Sequence, residues 1–257
     1  MRRRILGVIP ARYASSRFPG KALATLVGKS IIEHVYTRVC MSRYIDLVVV
    51  ATDDERIAAE ARRFGAAVRM TRFDHPSGTD RVAEVASADP AGIVVNVQGD
   101  EPLIDPAAID AAILPVIDEP AIQMTTLSKR IEDPREIGDP NVVKVVTDRF
   151  QNALYFSRAA VPYVRTGGDE PVFYKHTGLY VYRREFLLRY PDLPVGPLEQ
   201  AERLEQLRAL ENGFKIRVVE TEYESFGVDT PEDLARARYL FERLPETILR
   251  TTNTTNG

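Results

Sequence analysis

Residues 5–21 read Ile5-Leu6-Gly7-Val8-Ile9-Pro10-Ala11-Arg12-Tyr13-Ala14-Ser15-Ser16-Arg17-Phe18-Pro19-Gly20-Lys21. The run Ile5–Pro10 is apolar and of strand length, so it reads as a buried strand. Behind it come three cations, Arg12, Arg17 and Lys21, and two serines within ten residues. A polyphosphate needs its charge neutralised and its oxygens hydrogen-bonded, and small residues with free backbone N–H groups and Arg or Lys supply both. A solvated surface loop is the plainer reading of the same composition. The cations follow a buried strand rather than an amphipathic helix, which favours the phosphate reading.

Outward from this stretch, strand-length apolar runs alternate with segments of helical period, the pattern of βαβ units on a mainly parallel sheet. A helix is expected over Ile31–Met41, a strand over Leu47–Ala51, and a helix carrying Ile57, Ala61 and Phe64 that Thr52 or Asp53 caps and Gly65 ends. Ala67–Met70, Thr79–Ala88, Ile93–Val97 and Pro106–Ile117 continue as strand, helix, strand and helix. From about residue 121 the pattern becomes β-rich, with strands at Gln123–Lys129, Val142–Val146, Ala153–Phe156 and Gly178–Tyr182. Helices return at Leu198–Glu211 and Pro231–Arg243 around a strand at Lys215–Glu220, the last helix opening on Thr230-Pro231-Glu232-Asp233 with a cap and a first-position proline. The expectation is one domain over 1–250 with a β-rich lobe at about 121–200, and a disordered tail at 251–257.

The 257 residues carry 34 Lys and Arg against 37 Asp and Glu, a net charge of −3, with 44% hydrophobic residues. That balance excludes disordered and collagenous chains and argues against a nucleic-acid binder acting through bulk charge. The single cysteine, Cys40, excludes an internal disulfide and a cysteine-rich zinc site, and it reads as a small buried hydrophobe. Met1-Arg2-Arg3-Arg4 begins like a signal peptide, but Pro10-Ala11-Arg12 cuts the apolar run short, and no segment reaches the roughly 20 apolar residues of a membrane span. A cytoplasmic protein without membrane insertion is expected.

In an open parallel sheet, ligands bind at the carboxyl ends of the strands. Val27-Gly28-Lys29-Ser30 imitates the end of a P-loop, yet Leu23 stands where the pattern needs glycine, so it reads as a turn and helix cap. Val94-Val95-Asn96-Val97 runs into Gln98-Gly99-Asp100-Glu101-Pro102. A carboxylate there reaches a divalent cation bridging phosphates, although the same residues are also good turn formers. Asp229 precedes the cap Thr230 and is not needed for capping, so Asp100 and Asp229 together suit magnesium held from two sides of a cleft.

The runs Ile9-Pro10-Ala11-Arg12, Ser16-Arg17 with Pro19-Gly20-Lys21, and Asn96-Val97-Gln98-Gly99-Asp100-Glu101-Pro102 resemble the 3-deoxy-manno-octulosonate cytidylyltransferases, the CMP-Kdo synthetases. Further matches are Asp74-His75-Pro76-Ser77-Gly78-Thr79-Asp80-Arg81, Val142–Val146, Ala153–Arg158, Lys175-His176 with Gly178, Leu204–Leu207 and Gly227–Asp233, so the resemblance runs from residue 5 to about 243. It implies an α/β nucleotide-diphosphosugar transferase fold, with a mainly parallel Rossmann-like sheet and a β-rich lobe for dimerisation and sugar binding. The implied enzyme is a homodimer that couples CTP to Kdo, a 2-keto-3-deoxy sugar acid, releases pyrophosphate and serves lipopolysaccharide or related glycan biosynthesis.

Carried over by resemblance, Arg12, Ser15, Arg17 and Lys21 hold the CTP phosphates. Pro10 and Ala11 line the cytosine site with Thr52, Ser77, Gly78 and Arg81. Gln98, Arg158, His176, Tyr180, Glu205 and Gln206 bind the sugar acid, with Arg72 near them. Asp100 and Asp229 match magnesium ligands, and with Arg17 and Lys21 they form the implied catalytic set. His34 and His75 are assigned to structure. Pro76 and Thr177 depart from the family's common glutamine and bulky aliphatic residue, which leaves open a modified Kdo such as the 8-amino form. A CMP-sialate synthetase and a catalytically silent nucleotide-binding regulator are the rival readings.

Overall fold

A computed structural model describes residues 3–15, 17–165 and 171–243. The expected disordered tail, 251–257, lies outside the described residues, as does Ser16. The elements in chain order are β1 Ile5–Ala11, the short pair β2 Thr25–Leu26 and β3 Lys29–Ser30, α1 Ile31–Val39, β4 Leu47–Thr52, α2 Glu55–Arg63, β5 Ala67–Met70, α3 Gly78–Ser87, β6 Ile93–Asn96 and α4 Pro106–Asp118. They continue with β7 Met124–Arg130, β8 Lys144–Thr147, β9 Ala153–Ser157, β10 Tyr174–Arg183, α5 Arg184–Arg189, α6 Pro197–Glu202, α7 Leu207–Glu211, β11 Arg217–Glu220 and α8 Pro231–Phe241.

Among the described residues, nine strands form one sheet, ordered β11-β7-β10-β6-β1-β4-β5, with β8 and β9 branching from β10. β1 pairs in parallel with β4 and β6, and β4 with β5. β10 is antiparallel to both β6 and β7, while β11 is parallel to β7. One reversed strand therefore sits inside a path whose other strands all point the same way. β1 explains the burial: Ile5 and Ile9 enter one core and Leu6 and Val8 the other, because successive side chains point to opposite faces. α1, α2, α4 and α8 cover the first face, and α3, α5 and α7 the second.

The reversed β10 matters for the site. Tyr180 pairs with Asn96, the last residue of β6, so Tyr174–Leu179 run beyond the carboxyl end of that strand. They form a wall above the edge where ligands bind in such sheets. A register irregularity between Thr177 and Tyr180 bends this wall beside Gly178.

Three expectations are corrected. Asp54, not Thr52 or Asp53, caps α2, its carboxylate accepting from Arg56 N at 2.9 Å; the Thr52 hydroxyl instead accepts from Asp54 N at 3.2 Å. The expected helix Leu198–Glu211 is two, broken at Arg203 in the left-handed region (φ 54°). Arg208 pairs with Glu199 through two bonds at 2.9 and 2.7 Å, nine residues apart, a span of roughly 13 Å along a straight helix. Glu211 also caps the start of α6, accepting from Leu198 N and Glu199 N at 2.9 Å, so the chain folds back. Cys40, finally, is exposed, not buried: it follows α1 one position past the buried Val39, where the helix face has turned outward.

Candidate active site

β1 delivers its loop directly to the carboxyl edge. Gly20 adopts φ 70°, and a Cβ there would lie 2.8 Å from the Tyr13 ring; the Gly20 N–H donates to Tyr13 O at 2.9 Å. The guanidinium of Arg56 in turn stacks 3.3 Å from the centre of the Tyr13 ring. The loop is thus pinned at its middle and turns back so that Lys21 faces the cleft. Gly99 makes the second close approach, since a Cβ on it would lie 2.8 Å from Pro10 O. That contact sets the loop after β6 against the loop after β1.

The resulting cleft of about 540 Å³ is lined by Pro10, Ala11, Arg12, Ser15, Arg17 and Lys21 from the first loop, Ser77, Gly78 and Arg81 from the start of α3, Gln98 and Asp100 after β6, and Asp229 before α8. At its centre Lys21 Nζ donates to Asp100 Oδ2 at 2.5 Å and to Asp229 Oδ1 at 2.8 Å, and Arg17 donates to Asp229 Oδ2 at 2.8 Å. Burial alone would lower the Lys21 pKa, but Asp100 and Asp229 outweigh it and hold it above the usual lysine value. Burial would raise Asp229, yet Lys21 and Arg17 hold it below the usual carboxylate value. The two cations thus favour the ionised form of Asp229.

Asp100 and Asp229 suit a hard cation that also takes phosphate oxygens. Magnesium bound with a nucleotide needs only one or two carboxylates and keeps water on its other positions. Among the described residues no cluster of three or more His, Cys, Asp or Glu could hold a metal by itself. The donor set thus fits a metal that arrives with its ligand's phosphates.

A second group of expected residues lies behind the wall of β10 and does not line the cleft. His176 is half-buried, its Nε2 2.9 Å from Thr126 Oγ1 and its ring centre 5.0 Å from Phe156 and 5.6 Å from Tyr180. Burial pushes its pKa down to about 3, so the ring is neutral. The Tyr180 hydroxyl is pushed up by burial and by Glu205. Glu205 and Gln206 sit in the break between α6 and α7; burial raises the Glu205 pKa, and Ser77 Oγ lies 3.0 Å from its Oε1. Ser77 of the cleft wall bonds Glu205 of this second group, and Gln98 reaches the main-chain O of Gly178 on β10 at 3.4 Å.

Arg158 spends its guanidinium on main-chain carbonyls, Nε on Glu202 O at 2.8 Å and one terminal nitrogen on Pro140 O at 2.9 Å. Its own carbonyl accepts from Lys144 Nζ at 2.6 Å, a fully buried lysine that also bonds Asp139 O and Val142 O. Thr52 is fully buried beside Ala11, with which it pairs, and Arg72 is exposed beside Asp74 at 3.5 Å.

His75, expected in a turn beside the nucleotide, does line the cleft, with its Nε2 bonded to Glu84. One supporting residue escaped the sequence reading. Asp53, expected as a cap, pairs at 3.2 Å with the buried Arg81. The signal was the acidic residue, but only the fold brings Asp53 to Arg81. His34, as expected, is structural, its Nε2 2.7 Å from Leu26 O.

A family model described as Cytidylyltransferase matches residues 6–216. The 3-deoxy-manno-octulosonate cytidylyltransferase of Solibacter usitatus is 65% identical over 242 residues, 94% of this chain and 96% of that protein. The protein of the same name from Pelobacter propionicus is 54% identical over 250 residues, 93% of this chain and 98% of its own. Among solved structures, a CMP:2-keto-3-deoxy-manno-octonic acid synthetase complexed with CTP superposes with a TM-score of 0.90 at 44% identity, covering 93% of this chain and 99% of that one.

Proposed function

The chain belongs to the cytidylyltransferase family, and from that premise we propose that it is a nucleotidyltransferase that couples CTP to Kdo, giving CMP-Kdo and pyrophosphate for lipopolysaccharide or related glycan synthesis. The observation that carries the reading is the clasp of Lys21 by Asp100 and Asp229 under an arginine-bearing loop.

The anomeric hydroxyl of the sugar attacks the α-phosphorus of CTP; a new O–P bond forms, the bond to the β-phosphate breaks, and the hydroxyl proton leaves to solvent. Charge is the main obstacle, because a sugar carboxylate must approach a triphosphate of about four negative charges. Arg12, Ser15, Arg17 and Lys21 hold the triphosphate, and Arg17 and Lys21 stabilise the departing pyrophosphate. Magnesium held by Asp100 and Asp229 would polarise the phosphate oxygens and lower the pKa of the attacking hydroxyl. Pro10, Ala11, Ser77, Gly78 and Arg81 form the nucleoside wall, with Thr52 beneath it.

Gln98, Arg158, His176, Tyr180, Glu205 and Gln206, with Arg72 at the rim, receive the sugar acid. Support comes from the Ser77–Glu205 and Gln98–Gly178 links, which couple the group around β10 to the cleft. Arg158 is the partner for the sugar carboxylate; to pair both oxygens with its fork it exchanges its bonds to the Glu202 and Pro140 carbonyls for the carboxylate. We read residues 1–250 as one domain and the protein as a homodimer. Exposed Leu154 on β9 and Tyr163 beyond it, 63% and 89% accessible, favour that flank as the subunit contact. Among the described residues no helix is long and apolar enough to cross a membrane; a reaction that consumes CTP is assigned to the cytoplasm.

The test is pyrophosphate release from CTP with Kdo, 8-amino-Kdo and sialate. Kdo is expected to be turned over fastest. Faster release with 8-amino-Kdo would move the sugar assignment to the modified acid, and release with sialate alone would overturn it.

A further inference from the structure

Asp100 and Asp229 come from distant parts of the chain, and the stretch that carries Asp229 has no regular structure between β11 and α8. Two carboxylates on one cleft repel each other, so their spacing has to be imposed by something other than their own attraction. Lys21, bonded to both, is one tie inside the cleft, and side chains that never reach the cleft supply others. Glu101, next to Asp100, points the opposite way into the core, where Tyr223 donates its hydroxyl to Oε2 at 3.0 Å and Ser225 bonds the same carboxyl. Glu101 is 7% and Tyr223 8% exposed. The main chain adds a further tie, Val228 N donating to Asp100 O at 2.9 Å. Beyond these, Thr221 N donates to Ser128 O at 2.9 Å and anchors the start of the stretch on β7.

We propose that Glu101, Tyr223 and Ser225 are positioning residues that lock the 223–228 stretch onto the loop after β6 and so fix the distance at which Asp100 and Asp229 face each other. Neither ring nor hydroxyl of Tyr223 touches a substrate; the pair acts only through the two aspartates. This deepens the reading of those aspartates as magnesium ligands and rests on it. With the ties cut, each carboxylate remains but the pair has to be brought together when the metal binds, which weakens metal uptake and leaves nucleotide contacts made by Arg12, Ser15 and the α3 wall unchanged.

The variants are Tyr223→Phe, which keeps the buried ring, the double variant Tyr223→Phe/Ser225→Ala, Glu101→Ala, and Glu101→Gln, which keeps an acceptor for both hydroxyls. Mn²⁺ is titrated into each protein with CTP while water-proton relaxation is followed, which separates metal held on the protein from metal on free nucleotide. CTP affinity without divalent metal and melting temperature are measured on the same samples. The double variant and Glu101→Ala are expected to bind Mn²⁺ at least tenfold more weakly and Tyr223→Phe a few-fold, with Glu101→Gln within threefold of wild type and metal-free CTP affinity unchanged in all. Wild-type Mn²⁺ affinity in Tyr223→Phe and the double variant, or equal losses in Glu101→Gln and Glu101→Ala, would overturn the positioning role while leaving the metal site standing. No protein-held Mn²⁺ in wild type would instead overturn the metal reading, and this inference with it.

Discussion

The cleft under the first loop and the packed group around β10 both gather polar residues, yet they handle charge in opposite ways. In the cleft, Lys21, Asp100 and Asp229 are part-buried and Arg17 is exposed, and opposite charges pair directly with one another. In the group around β10, burial drives the His176 ring to its neutral form and raises the pKa of the Tyr180 hydroxyl and of Glu205. On the proposed reading the difference separates two tasks: a triphosphate with its metal would exchange for cations and anions already present, whereas the sugar would be read by hydrogen bonds from neutral groups.

The contrast breaks most visibly if the aspartates are neutralised. Asp100→Asn and Asp229→Asn are each expected to lower kcat by two orders of magnitude or more, in line with losses on removing a charge-stabilising group, while the melting temperature stays near wild type. Near-normal turnover of either variant in limiting magnesium would remove that residue from the metal site. Next in size is Arg158→Ala, which should raise the sugar KM by about tenfold or more with little change in the CTP KM. Arg158→Lys keeps charge without the fork and should fall between. If both variants lost stability with a normal sugar KM, Arg158 would be only the brace between Glu202 and Pro140 that its present bonds describe.

The group around β10 predicts a pH signature that the cleft does not. The His176 pKa is about 3 when folded, while a free imidazole titrates near 6.5. Between those values only the unfolded chain takes the proton, so stability is full above about pH 6.5 and falls as pH drops, by roughly 1.4 kcal/mol per unit. Denaturant unfolding at pH 6.5 and 5 should differ by about 2 kcal/mol more for wild type than for His176→Gln; equal differences would mean that the ring charges in the folded state. The smallest expected effect lies outside both regions. Asp54→Ala removes the α2 cap and should cost about 1 kcal/mol with unchanged kinetics, whereas altered KM for CTP would show that α2, through Arg56 on Tyr13, tunes the phosphate loop.

Legibility in the sequence divides along the same line. The first loop could be read because its strand, cations and glycine are consecutive, and Asp100 and Asp229 because each follows or precedes an obvious element boundary. The group around β10 could not be read from local pattern: His176 reaches Thr126 and Phe156 only because β10 reverses inside the sheet, and Glu205 reaches Ser77 only after the segment after Pro197 folds back. Arg203 looks like an ordinary helix residue, and its left-handed break is imposed by Glu199–Arg208 and by Glu211 capping α6, contacts that no window of helical period contains. Resemblance to a family named those residues; physics explains why they are where they are once the fold is known. Tyr223 was missed for the same reason, since its partner Glu101 lies across the sheet edge.

The central claim is transfer of CMP to a 2-keto sugar acid in this cleft, and ³¹P nuclear magnetic resonance of wild-type protein with CTP, Mg²⁺ and Kdo tests it most directly. The expected result is loss of the three triphosphate resonances with equal growth of pyrophosphate and one phosphodiester signal, absent when ATP or GTP replaces CTP. CDP with inorganic phosphate, or equal rates with a purine triphosphate, would contradict it.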